Sequence, residues 1–167
     1  FKYGMKRDFN AWLASLGERA PVKTLEELRA WNRSHEAAGT LKYGQAQLDI
    51  SDEMDTQTDR GRYEADRAKD IALAGRDGID AALRANRLDA LLFPGSAGAA
   101  IAAKPGYPTV IVPFGMLPNT LRAAGFEAKP SPYGVSFTGT ACSEGRLLEL
   151  AYAFEQATRR RVPPPLD

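Results

Sequence analysis

Over its first forty residues the chain repeats apolar positions with the period of an α-helix. These apolar residues recur at spacings of one, three and four and predict a helix ending at Gly17: Phe1, Met5, Phe9, Trp12, Leu13 and Leu16. Thr24 and Glu27 form a capping box, since the Thr24 hydroxyl can accept from the Glu27 amide, and this predicts the start of a second helix. Its inner face carries Leu25, Leu28, Trp31 and, less cleanly, His35, and Gly39 ends the run.

The next part of the chain is more polar. Residues 38–48, which contain Gly39, Gly44 and Gln45, predict a loop. From about Thr56 to Ala85 widely spaced apolar residues predict one long helix, or two helices joined near Gly75 and Gly78. The join is expected there because each glycine inside a helix costs about 1 kcal/mol relative to alanine.

At Leu88 the helical stripes give way to short apolar runs. Residues 88–94 and 109–113 are apolar on both faces and each end at a proline, which predicts two buried strands at the centre of a sheet. Between them, residues 95–106 consist of small residues and a Lys-Pro-Gly turn, so the backbone there can lie close to another surface.

The last third of the chain adds one strand and one helix to this pattern. A polar, proline-punctuated stretch from Met116 to Pro132 precedes a third predicted strand, Tyr133 to Thr138. Residues 144–160 predict an amphipathic helix, and residues 162–167, with three consecutive prolines, predict a tail.

Helices followed by alternating strands and a final helix indicate an α/β fold. We expect a single unit over residues 1–167 with a layered α/β arrangement, since a domain averages about 150 residues. A sheet of only three strands has at least one unprotected edge and is too narrow to cover the predicted helices. The sequence therefore predicts that a neighbouring part of the sheet is missing, and an opening residue of Phe1 rather than Met adds to the expectation of a longer protein.

Composition excludes several classes of partner. The net charge is +1, which is too balanced for a nucleic-acid or anionic-membrane surface, and no apolar run approaches the roughly 20 residues of a membrane span. The single cysteine and single histidine exclude an internal disulfide and a zinc site rich in either residue. We expect a soluble, cytoplasmic protein with no metal, no cofactor, no nucleic-acid partner and no membrane partner.

Ser96 is the one serine in a setting that resembles a nucleophile elbow, because it follows a predicted strand and lies among glycines. Pro94 replaces the first glycine of that motif, however, and no helix is expected after Ser96 because Pro105 lies close downstream. His35 is the only histidine and is expected to be a surface or capping side chain. We therefore predict that Ser96 lines a loop or a pocket.

Other reactive side chains also favour structural roles. Cys142 precedes a predicted helix, whose N-terminus can lower a thiol pKa, but a small buried thiol is the favoured interpretation. Lys104 lies in the Lys-Pro-Gly turn, where exposure is expected rather than the desolvation that a base requires. A cluster of acids is expected to cap a helix and face water: Asp49, Asp52, Glu53 and Asp55. Residue by residue, the chain predicts no self-contained catalytic set.

Four blocks in order nevertheless resemble the C-terminal part of amidase signature enzymes: residues 88–94, 103–113, 132–139 and 144–158. Earlier segments are similar to the region of that family that precedes these blocks: residues 9–13, 24–28, 31–35 and 43–45. The resemblance extends from about Phe9 to Pro165.

This resemblance implies a hydrolase of carboxamide C–N bonds that uses a serine nucleophile, a second serine and a lysine base. It also implies an α/β/α layered fold, of which this chain would hold a few strands of a mixed sheet flanked by helices. In the family, that lysine and the Gly/Ser-rich signature lie upstream of the blocks seen here, and nothing in residues 1–167 matches them. We expect no catalytic residue in this chain, which would complete the sheet, wall the substrate pocket and be inactive alone.

The substrate site is expected at the small residues after the first strand: Gly95, Ser96, Ala97, Gly98 and Ala99. The expected partners are a small-molecule amide and the missing N-terminal portion of the same enzyme, and an excised half-sheet is expected to dimerise or aggregate. The alternative is a non-catalytic binding or assembly module on the same scaffold.

Overall fold

A computed structural model describes residues 1–118 and 130–163, and these residues form seven α-helices and three strands. The helices are α1 (Lys2–Ser15), α2 (Leu25–Ser34), α3 (Ala46–Asp52), α4 (Arg60–Ala74), α5 (Asp80–Asn86), α6 (Ala97–Ala102) and α7 (Glu144–Thr158). The strands are β1 (Leu91–Pro94), β2 (Thr109–Leu117) and β3 (Ser131–Thr138). None of these helices is both long and apolar enough to cross a bilayer. The chain groups into two compact units, residues 1–67 and 68–167.

In the first unit, α1, α2 and α3 pack on one another around the buried side chains of Leu13 and Leu25. The predicted capping box is confirmed, since the Thr24 hydroxyl accepts from the Glu27 amide at 3.1 Å. The Asn10 side chain accepts from the Leu25 amide at 2.8 Å, which satisfies a second N–H at the start of α2.

The predicted join between two helices is also present in the structure. A π-helical segment, Gly75–Ile79, separates α4 from α5. A Cβ at Gly78 would lie 2.5 Å from the carbonyl oxygen of Leu73, so only glycine fits this wider turn.

The sheet of the second unit has the order β1–β3–β2, and both pairs are antiparallel. One face packs against α7 through Val112, Phe137, Leu147 and Ala151. On the other face α6 lies over β1 and β3. Ala102 of α6 also packs with Ile79 of the π-helical segment and Leu83 of α5. Helices therefore cover both faces, and the predicted α/β fold is confirmed.

Three details differ from the sequence prediction. The first two strands do not lie at the centre, because β3 separates β1 from β2 and places both at the edges of the described sheet. A short helix, α6, forms after Ser96, since an alanine-rich run favours helix and Pro105 falls beyond its end. The irregular stretch predicted from Met116 to Pro132 is partly strand, and residues 119–129 and 164–167 lie outside the described residues.

Candidate functional site

The loop and helix that follow β1 bring together the five residues predicted to border a substrate. Gly95 has φ +56°, a left-handed conformation that favours glycine. Its amide donates to the carbonyl of Gly134 at 2.8 Å, and the buried hydroxyl of Ser136 donates to its carbonyl oxygen. Gly95 is thus fixed to β3 through both of its backbone polar groups, and this sets the direction in which Ser96 and α6 leave the sheet.

Gly98 is where α6 touches the sheet. A Cβ at this position would lie 2.5 Å from the Thr138 hydroxyl oxygen and 2.6 Å from a ring carbon of Phe93. Gly98 is buried, whereas Ser96, Ala97 and Ala99 are exposed. The helix therefore rests on the sheet through its glycine and presents three small side chains outward.

A polar cluster around Asp80 ties α5 to the loops beside β2 and β3. The Asp80 carboxylate accepts from the Tyr107 hydroxyl at 2.8 Å and from the Thr140 hydroxyl at 2.6 Å. The Thr140 and Tyr107 hydrogen bonds hold the pKa of Asp80 below its usual value, and the same carboxylate raises the pKa of Tyr107. A shallow cleft of about 310 Å³ beside it is lined in part by Arg84 and Leu88.

The candidate nucleophile and base of this unit are not arranged as a reactive pair. The Ser96 hydroxyl has no hydrogen-bond partner among residues 1–118 and 130–163, and Ser96 is exposed. Lys104 forms an ion pair with Asp70 at 2.5 Å, and about half of its side chain is exposed. The Lys104 side chain is exposed, as the sequence predicts, and its ion pair is with Asp70 and not with Ser96.

His35 ends α2, as predicted. Its ring stacks on Trp31 with centroids 4.0 Å apart. Its Nδ1 and the Ser34 hydroxyl lie 2.9 Å apart, and both contact the Trp31 carbonyl oxygen, at 2.8 Å in each case. Both side chains therefore contact the same carbonyl oxygen in the last turn of α2, on an exposed surface. This is the geometry of a helix cap.

The prediction of a buried thiol at Cys142 is wrong. Cys142 is exposed and has φ +59°, because it occupies the turn in which the chain reverses from β3 into α7. A turn position on the surface leaves the thiol in water, and nothing in the local sequence pattern distinguishes this turn from a buried one.

The acid cluster is only partly solvated, in contrast to the prediction. The side chain of Asp52 is 9% exposed and pairs with Arg29 and with Lys6, the latter at 3.2 Å. Asp49 pairs with Arg29 at 2.6 Å and with Arg33 at 3.0 Å. Burial, which alone would raise the pKa of Asp52, is outweighed by the hydrogen bonds from Arg29 and Lys6, so its pKa is lowered.

The remaining two acids of the cluster do face water. Glu53 is exposed, and Asp55 accepts from the amides of Gln57 and Thr58 in the turn before α4. Because both amides lie outside α4, Asp55 orders this turn and does not cap the helix itself. Within the two described ranges no group of three histidine, cysteine or acidic residues could hold a metal ion.

Known proteins are similar to almost the whole of this chain in sequence and in fold. No protein-family model matches the chain. A sequence from Arabidopsis thaliana named “Probable amidase” is 32% identical over 160 residues, which is 95% of this chain and 28% of that protein. The solved structure of the peptide amidase from Stenotrophomonas maltophilia is 35% identical with a TM-score of 0.76, over 99% of this chain and 34% of that one.

The chain is similar to one part of an amidase. A solved amidase family protein from Bacillus anthracis agrees with this similarity at 26% identity and a TM-score of 0.71, over 99% of this chain. The resemblance to amidases that the four blocks indicated is therefore confirmed, for a chain that spans about a third of the length of its relatives.

Proposed function

We propose that the chain is the C-terminal portion of a hydrolase that cleaves carboxamide C–N bonds, and that it contributes sheet and pocket wall rather than the reactive groups. The observation that carries this proposal is the match to amidases over almost all of this chain and only about a third of theirs. The exposed Ser96, the ion-paired Lys104 and the capping role of His35 support a catalytic set located elsewhere in the polypeptide.

We further propose that Gly95, Ser96, Ala97, Gly98 and Ala99 border the substrate site of the complete enzyme. Small exposed side chains on a helix that is fixed to the sheet leave room for a ligand and hold the edge of that room in place. The substrate class is a small-molecule amide, since the similar proteins are amidases and the balanced charge of the chain argues against a highly charged polymer.

A hybrid enzyme tests both statements. In it, this chain replaces the aligned third of the Stenotrophomonas maltophilia peptide amidase. We expect the hybrid to hydrolyse amides and the isolated chain to give no turnover above background. Turnover by the isolated chain that Ser96→Ala abolishes would overturn the proposed division of roles. A folded hybrid that binds amides without cleaving them would favour the alternative of a non-catalytic module.

The pocket assignment has its own variant and matched control. Ala97→Phe in the hybrid should change the ratio of kcat/KM between small and bulky amides by roughly tenfold or more, because an added ring fills space beside the substrate. Ala153→Phe makes the same change at an exposed position on α7 and should leave that ratio unaltered. Equal ratios in the Ala97 variant and the parent hybrid would remove the assignment.

A further inference from the structure

A groove of about 390 Å³ is formed by the sheet and the chain that follows α7. Its lining comes from parts of β2 and β3 and from residues 160–162, and we call it the β2–β3 groove. Ile111 and Met116 are 53% and 47% exposed along it, and Val162 is 65% exposed. Pockets that bind small molecules have volumes of this size and are mainly apolar, with a few polar groups that orient the ligand.

Arg160 and Arg161 supply the charge of this groove. No acidic residue lines it within the part of the chain that the structure describes. The guanidinium carbon of Arg160 lies 4.7 Å from the ring centroid of Phe114, which holds it against an aromatic ring of β2. Arg146 pairs with carboxylates of this chain, whereas neither Arg160 nor Arg161 has an acidic partner in the two described ranges. The groove therefore combines an apolar lining with two positive charges that no described carboxylate neutralises.

This combination fits an anion that is attached to an apolar chain. A guanidinium donates two parallel hydrogen bonds to a carboxylate, and this geometry adds both strength and direction to the contact. Apolar walls lower the local dielectric constant, so the arginines attract an anion more strongly here than on an open polar surface. A ligand of the same length that ends in an ammonium would be repelled by both arginines.

The β2–β3 groove also meets the segment that we propose borders the substrate. Tyr133 and Gly134 line the groove, and Gly95 rests on both of them. The Gly95 amide donates to the Gly134 carbonyl at 2.8 Å, and a Cβ at Gly95 would lie 3.6 Å from a ring carbon of Tyr133. From Tyr133 the contacts continue to Phe114, whose ring centroid is 6.5 Å away, and from Phe114 to Arg160. A ligand with its amide beside that segment would therefore have its apolar chain along the groove and its far end at the arginines.

We propose that the β2–β3 groove selects the substrate of the complete enzyme, and that this substrate is an amide whose apolar chain ends in a carboxylate bound by Arg160 and Arg161. The inference rests on the proposed function for the position of the scissile amide. The two arginines determine specificity, since they contact the end of the substrate that is remote from the reacting bond. Such contacts raise kcat/KM for a substrate that makes them relative to one that does not.

The test uses the hybrid enzyme in which this chain replaces the aligned third of the Stenotrophomonas maltophilia peptide amidase. Three amides of equal chain length serve as probes. The monoamide of adipic acid ends in a carboxylate, hexanamide in a methyl group and 6-aminohexanamide in an ammonium, and their ten-carbon counterparts extend the comparison to a longer chain. We expect kcat/KM for the carboxylate probe to exceed that for the ammonium probe by at least about tenfold, and this preference should fall as salt is added.

Two variants of the hybrid provide a matched comparison. Arg160→Gln combined with Arg161→Gln removes both charges from the groove and should reduce the carboxylate preference by about tenfold or more. Arg159→Gln removes a charge from the neighbouring residue, which does not line the groove, and should leave the preference within about twofold of the parent hybrid.

A binding measurement separates this inference from the proposed activity. If the hybrid cleaves no amide, the 167-residue chain is titrated with the adipic acid monoamide and followed by NMR. The methyl signals of Ile111 and Met116 should shift, 6-aminohexanamide should shift them much less, and the double arginine variant should lose the response. A hybrid without turnover together with these shifts refutes only the proposed activity, and a hybrid without turnover and without these shifts refutes both proposals.

Three further results would overturn the inference alone. The first is equal kcat/KM for the carboxylate and ammonium probes at both chain lengths in a hybrid that cleaves hexanamide. The second is a carboxylate preference that the double arginine variant retains. The third is a shift of the Ile111 and Met116 methyl signals that grows with the concentration of the chain alone, which would make a second copy of the chain the occupant of the groove.

Discussion

Replacing Gly98 with alanine tests how tightly α6 is seated on the sheet. The added Cβ would lie 2.5 Å from the Thr138 oxygen and 2.6 Å from a ring carbon of Phe93, so both neighbours must move by about 1 Å to reach ordinary contact distances. Thr138 is fully buried, and its hydroxyl lies 2.9 Å from that of Thr109, so it cannot move without disturbing that hydrogen bond.

The expected loss follows from three effects. Overpacking costs about 1–3 kcal/mol, and a weakened buried hydrogen bond costs about 1 kcal/mol more. Alanine returns up to about 1 kcal/mol of helix propensity. The net expectation for Gly98→Ala is a loss of roughly 1–3 kcal/mol from the free energy of unfolding of the second unit, which corresponds to a fall in Tm of at least about 4 °C.

The matched control is Gly145→Ala in α7, where a Cβ meets nothing within 4 Å. This change should stabilise the chain by up to about 1 kcal/mol. Trp12 and Trp31 both belong to residues 1–67, so tryptophan fluorescence reports the other unit, and hydrogen exchange at Phe137 in β3 is the appropriate measurement. If Gly98→Ala left Phe137 as protected as in the parent, the close seating of α6 would be refuted.

Three further substitutions test contacts that are remote in sequence. Ser136→Ala leaves the Gly95 carbonyl without its buried donor and should cost about 1–3 kcal/mol of unfolding free energy; an unchanged urea midpoint would contradict this. The lowered pKa of Asp80 means that its contribution to stability is present above the unfolded-state pKa, about 3.9, and is lost as pH falls through the lower folded-state value. Asp80→Asn should therefore reduce the loss of unfolding free energy at acid pH, measured in a series of unfolding curves at different pH values. An unchanged loss of stability at acid pH would argue against this role of Asp80. Asp52→Ala removes one of the two carboxylates that pair with the mostly buried Arg29, and also the partner of Lys6, and should lower the stability of the first unit by about 1–3 kcal/mol. Tryptophan fluorescence measures this loss, with Glu53→Ala as the exposed control.

Local signals in the sequence located the elements well. The capping box at Thr24 and the two glycines near the π-helical segment act through neighbouring residues, so the pattern alone is sufficient to predict them. The apolar runs located the strands within a few residues for the same reason. Strand order was harder, because which strand lies at the centre depends on pairing across the sheet rather than on the composition of any one run.

The errors and omissions involve residues far apart in the chain. Asp52 was expected to face water because its partner Arg29 lies 23 residues earlier. The prediction that Cys142 is buried was wrong, because the turn between β3 and α7 places its side chain on the surface. Ser136 was missed as the residue that fixes Gly95, although a serine between Val135 and Phe137 in a predicted strand was a usable signal, since buried hydroxyls require a partner.

The way in which Gly95 is fixed to β3 has a practical consequence for redesign. Both anchoring groups, the Gly134 carbonyl and the Ser136 hydroxyl, belong to the strand, and the outward residues of α6 take no part in them. A combinatorial library that randomises positions 96, 97, 99 and 100 while retaining glycine at 95 and 98 would alter the outward surface of α6 without rebuilding the framework beneath it.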